Sequence, residues 1–230
     1  MNKRLTIKNG TITIEDGKIT IEFNENNLIE EIPNDCISNN KIKLNELKPG
    51  DEFYIGPSVY VVVDHVDDTT KVISKEITHK MAFDYDGNNN YLISNIRGIL
   101  NGRDYDCLTN YMDVHNVMPT KCDTTAMDGS GSYEITEDAI TILSVKEYRK
   151  YYDILNAIPN FTSESQWLSN PVSMINKAKS FVCAIDRDGL IEYMNSSIQD
   201  VGVRPFFTLK SSTEVKPYKP MTYDDNDKTD

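Results

Sequence analysis

Ser94-Asn95-Ile96-Arg97-Gly98-Ile99-Leu100-Asn101-Gly102 is the stretch from which the fold is read. Ser94 suits a helix N-cap, because its hydroxyl can accept one of the orphan N–H groups of the first turn. Ile96, Ile99 and Leu100 then fall on one face, and Asn101-Gly102 reads as the stop. A second helix opens at Ser144-Val145-Lys146-Glu147, a capping box, and runs toward Asn156, ending before Pro159. Around these helices lie strand-like runs: Glu52-Phe53-Tyr54-Ile55, the β-branched Val59-Tyr60-Val61-Val62-Val63, and Lys71-Val72-Ile73-Ser74. Gln166-Trp167-Leu168-Ser169-Asn170-Pro171 comes next. Then Ser180 to Ile185 and Leu190 to Met194 flank the turn Asp186-Arg187-Asp188-Gly189. Gly202-Val203-Arg204-Pro205-Phe206 belongs to a run from Val201 to Leu209 that is expected to close the sheet, with Pro205 at an edge or strand end. The expectation is an α+β fold with a mixed, mainly antiparallel sheet and two main helices starting near Asn95 and Val145.

Taken in order, the three signatures resemble those of a large family of uncharacterised bacterial and phage domains. Its members carry an S-x-I-R-x-x-L-N helix, an L-S-x-x-E helix start, a W-L-R-S-P strand and a terminal G-V-R-P. More loosely, that family resembles the C-type-lectin-like fold shared with formylglycine-generating enzymes. The resemblance marks Ser94, Arg97, Leu100, Asn101, Ser144, Glu147, Trp167, Gly202, Arg204 and Pro205 as a structural signature. Ser169-Asn170-Pro171 departs from the Arg-Ser-Pro usual in relatives. Sulfatase-activating relatives use a pair of cysteines late in the fold, where this chain has Cys183 alone, which argues against that chemistry. Arg97 and Arg204 have two readings: ligands for an anion, or guanidiniums that pin loops to the sheet. Arg204 sits beside Val203 and Phe206, which favours the second. Trp167 reads as core.

Ahead of this domain, expected over 48–212, residues 1–47 read as a β-hairpin arm and linker. Thr11-Ile12-Thr13-Ile14-Glu15 and Lys18-Ile19-Thr20-Ile21-Glu22-Phe23 alternate strictly around Asp16-Gly17, the strongest short hairpin signal. Ile12, Ile14, Ile19, Ile21 and Phe23 form its apolar set, and a two-stranded ribbon is marginal alone in water. Residues 213–230 read as an acidic, solvated tail.

A formal net charge of -12 argues against binding a phosphate backbone or an anionic membrane surface. No apolar run approaches a membrane span, and no apolar segment comes after Lys3-Arg4, so neither membrane insertion nor a signal peptide is expected. Cys36, Cys107, Cys122 and Cys183 are scattered and read as reduced thiols, mostly buried. Asp84-Tyr85-Asp86-Gly87-Asn88-Asn89-Asn90 reads as a polar turn, with a calcium set of Asp84, Asp86 and Asn88 as the alternative. It lacks the glycine and glutamate that an EF-hand requires at its sixth and twelfth positions. His65, His79 and His115 form no zinc spacing with the cysteines. No metal or cofactor is expected.

The expected function is that of a non-catalytic structural or binding protein of a bacteriophage particle, located in the virion. It would decorate a head or tail, or recognise a host-surface glycan, with other virion proteins or copies of itself as partners and no nucleic acid. The alternatives are an intracellular bacterial ligand-binding module and an enzyme of the sulfatase-activating type.

Overall fold

The computed structural model describes residues 3–7, 10–15, 18–23, 41–175 and 178–218. The chain forms two compact units, Met1–Ser38 and Asn39–Asp230. In the first, β1 (Lys3–Ile7), β2 (Gly10–Glu15) and β3 (Lys18–Phe23) form an antiparallel sheet in the order β1-β2-β3. Ile14 is registered with Ile19 and Ile12 with Ile21. The third strand, β1, was not expected, because Leu5-Thr6-Ile7 is too short to show a period. The Asp16-Gly17 turn and the side chains of Ile12, Ile14, Ile19, Ile21 and Phe23 lie outside the described residues, as do 219–230.

The second unit is mixed α+β and mostly antiparallel. Its first strands are β4 (Ile42–Lys43), β5 (Glu52–Ile55), β6 (Ser58–Val66), β7 (Thr69–Ser74) and β8 (His79–Lys80). Helical turns α1 (Asn95–Ile99) and α2 (Tyr105–Thr109) come after these, and then β9 (Val117–Met118), β10 (Thr120–Cys122) and β11 (Thr136–Asp138). Next come α3 (Val145–Lys150) and α4 (Tyr152–Asn156). The last strands are β12 (Gln166–Pro171), β13 (Phe181–Ile185), β14 (Ile191–Asn195), β15 (Gly202–Val203), β16 (Phe206–Lys210) and β17 (Glu214–Pro217).

Where one sheet was expected there are two larger ones, ordered β4-β17-β5-β6-β7-β16-β9 and β14-β13-β12-β15-β8, with β10-β11 as a separate pair. The run from Val201 to Leu209 does not close a single sheet. It leaves the five-stranded sheet after Val203 and enters the seven-stranded sheet at Phe206, with Pro205 in the break. Proline has no N–H to give a ladder, so the crossing falls where a donor is dispensable.

The expected domain limits also move. Leu44 is fully buried, and Glu214–Pro217 pairs with both β4 and β5, so 41–47 and 214–217 belong to the main unit. Alternation of Val and Lys is enough for a strand once a partner edge exists, and the tail composition hid it.

Successive residues point to opposite faces of a strand. Val62, Val72 and Phe207 enter one apolar cluster, while Val61, Val63, Ile73 and Phe206 enter a second. The seven-stranded sheet is thus covered on both faces, which is why β6 reads as an unbroken apolar run. Ile96, Leu100 and Leu108 pack in the first cluster, and Val145, Tyr148, Tyr151 and Leu155 in the second.

Candidate functional site

Ser94 Oγ accepts the Arg97 N–H at 3.2 Å, so the helix starts with the expected cap. It does not stop at Asn101-Gly102. Leu100–Asp104 form a π-helical turn and the chain continues into α2. Asn101 is turned sideways instead: its Nδ2 donates to Ile140 O at 2.9 Å and its Oδ1 accepts the Ile140 N–H at 3.1 Å. A π-turn inserts one residue, rotates the rest of the helix about its axis, and is frequent at functional sites. Here it comes directly before α2, which carries Cys107 and Leu108, and it ends at Asp104.

The signature polar groups are satisfied within the chain. Arg97 Nε and Nη2 donate to Asp138 at 2.9 and 2.8 Å, and Nη1 donates to Leu92 O at 2.9 Å. The Asp138 hydrogen bond holds the Arg97 pKa above its ordinary value. Arg204 is 4% exposed. Its guanidinium donates to Gln166 Oε1 at 2.9 Å, to Ser74 O and Phe161 O at 3.1 Å each, and to Lys75 O. Burial pulls its pKa down to about 10, which leaves it charged at neutral pH. Its partners are thus carbonyl and amide oxygens and not a carboxylate. The guanidinium also lies 4.5 Å from the Phe161 ring centroid, a cation–π contact.

Trp167 is buried and its Nε1 donates to Met81 O at 2.9 Å. Ser169 is buried and donates to Asp123 O at 2.7 Å. Asn170 joins the second helix to the sheet, accepting the Val145 N–H at 2.6 Å and donating to Thr125 O at 2.9 Å. Ser144 and Glu147 close the capping box, with Ser144 Oγ accepting the Glu147 N–H at 3.1 Å and Glu147 Oε2 accepting the Ser144 N–H at 3.1 Å. Gly202 is closely packed: a Cβ there would lie 2.5 Å from Ile77 Cδ1, which would have to shift, and 3.1 Å from Ser165 O.

The Asp84 segment is a turn. Asp84 is buried, and its Oδ1 accepts the N–H groups of Asp86 and Asn88 at 3.1 and 3.0 Å. Asn88 Oδ1 accepts the Asn90 N–H at 3.0 Å. Among the described residues no group of three His, Cys, Asp or Glu side chains is placed to hold a metal ion. Cys122 and Cys183 are buried, and burial raises both thiol pKa values, that of Cys183 to about 11. Cys107, on α2, is exposed. Cys36 lies outside the described residues.

Sequence reasoning missed the pocket beside that π-turn. It has a volume of about 290 Å³ and lies between the β5–β6 turn, α2 and the start of β16. Leu108, Ile140 and Phe207 form its floor, and Tyr60, Asp104 and Tyr111 its walls. His79 Nε2 lies 2.7 Å from Asp104 Oδ1 and 3.0 Å from Oδ2. A carboxylate only accepts, so Nε2 carries the proton. Burial raises the Tyr60 phenol to about 12, so it stays neutral. The available signal was the spacing of Asp104, Cys107, Leu108 and Tyr111, which share a face only if the helix runs past Gly102.

A comparison of the chain with protein-family models, with curated proteins and with solved structures found no match.

Proposed function

We propose that the chain is a non-catalytic structural and binding protein of a bacteriophage particle, its main unit built on a C-type-lectin-like plan and working within a multimer. The observation that carries this reading is the internal use of the signature. Arg97 and Arg204, the two candidate anion ligands, have their donors directed at Asp138, Gln166 and backbone oxygens. A motif used in this way maintains a scaffold and leaves function to the surface.

The surface supplies the second support. Among the described residues β14 is an edge of the five-stranded sheet, and Leu190 just before it and Tyr193 within it are 64% and 67% exposed. Edge strands with exposed apolar side chains are templates for association. The partners on this reading are further copies of the chain or other virion proteins, or a host-surface glycan. Mass spectrometry of purified particles from the source tests it: the chain is expected at a stoichiometry matching a particle symmetry. Its presence only in the host lysate would refute the assignment.

An intracellular ligand-binding module is the second reading, favoured by the pocket beside Asp104. No helix among the described residues is long and apolar enough to cross a membrane.

A further inference from the structure

We infer that the pocket between α2 and the β5–β6 turn is a binding site for a small organic ammonium ion. Three features of its wall select that chemistry. Among the described residues Asp104 is the one formally charged side chain lining it, and that charge is negative. Its side chain is 13% exposed, so the charge acts at reduced dielectric. His79 Nε2–H is shared by the two carboxylate oxygens, and an ionised carboxylate has about four lone-pair positions, so acceptor capacity remains.

Two tyrosine rings complete the wall, and an aromatic face attracts a cation through its quadrupole. Tyr60 is held edge-on by Phe207, with centroids 5.3 Å apart at 79°. Tyr111 is 60% exposed yet is seated on the backbone of Gly56, where an added Cβ would be 2.5 Å from the ring Cγ. Gly56 has φ +56°, so the left-handed turn and the missing side chain together make the seat for this ring. A volume of about 290 Å³ fits a trimethylammonium or a small alkylammonium group and excludes an extended polymer chain from the interior. An anion would be repelled by the Asp104 carboxylate, and a neutral hydrocarbon would gain nothing from its charge or from the quadrupoles of the two rings.

The test uses the full chain with choline as the cation and 3,3-dimethylbutan-1-ol as its neutral isostere, each titrated by NMR. Choline is expected to bind saturably and about tenfold or more tighter than the isostere, the scale of a partly desolvated cation–π and carboxylate site. Asp104→Asn and Tyr111→Leu should each weaken choline by about fivefold or more, the fold of each variant being checked by its melting curve. Tyr111 is exposed, so that variant serves even where Asp104→Asn fails to fold. Cys107→Trp, at an exposed helix position, should fill the pocket and abolish binding. No saturable binding to the folded chain, equal binding of the isostere, or binding that survives Cys107→Trp would each overturn the inference.

Discussion

Arg204 shows how one side chain can join two sheets. It leaves the chain between β15 and β16 and donates to oxygens on β7, on β12 and after α4. Replacing Arg204 by Ala leaves those buried acceptors without donors and is expected to destabilise by about 2–3 kcal/mol, the upper part of the range for leaving buried polar groups unsatisfied. Urea unfolding measures it, and an unchanged midpoint would remove Arg204 from this role. Gly202, two residues earlier, sits against Ile77 and the Ser165 carbonyl. Gly202→Ala should cost about 1–3 kcal/mol through overpacking, read from the same unfolding curves. That Arg204 is buried was legible from its apolar neighbours Val203 and Phe206. Its acceptors were not, because three of them are backbone oxygens brought together only by tertiary structure. The reason for Gly202 was equally hidden, since Ile77 is distant in sequence.

At the level of elements, capping chemistry was readable and helix ends were not. Ser144 and Glu147 are neighbours in sequence and form their box locally, whereas Asn101 met a distant partner, Ile140, that let the helix pass its apparent stop. Ser144→Ala should cost about 1 kcal/mol, detectable as a lower melting temperature. The second helical segment is also tied to β6: Lys150 Nζ and Tyr151 Oη both donate to Asp64 Oδ2, at 2.7 and 2.9 Å. Burial pushes the Asp64 carboxyl upward, but these two donors outweigh it and hold its pKa below the ordinary value. A depressed carboxyl pKa stabilises the fold above the unfolded value of about 3.9, and the contribution is lost as pH falls through the folded pKa. Asp64→Asn is therefore expected to cost about 1 kcal/mol at pH 7, with the difference from the parent vanishing at the acid end of a pH series of unfolding curves. A difference independent of pH would contradict the tether.

The whole molecule combines a scaffold, whose internal bonds account for its sequence signatures, with features left for contact. The α+β class could be read from two capped helices set among β-branched runs. The division into two sheets could not, because Pro205 suits an edge as well as a crossing. Strand Glu214–Pro217 escaped notice because its partners Ile42 and Phe53 are remote in sequence. On the surface, Leu190→Asp together with Tyr193→Asp should weaken self-association by about tenfold or more, and the cost to the fold should be small, set by the edge-to-face contact of Tyr193 with the Phe181 ring, centroids 6.1 Å apart. Sedimentation velocity with increasing concentration reads that effect. The central claim, a scaffold that works in a multimer through surfaces outside its signature, is tested most directly by sedimentation equilibrium of the full chain and of the chain lacking residues 1–23. The account predicts a defined multimer for the full chain and a smaller species, with an unchanged melting temperature of the main unit, for the truncated one. A full chain that stays monomeric, or a truncated chain that assembles with unchanged affinity when Leu190 and Tyr193 are also replaced by Asp, would contradict it.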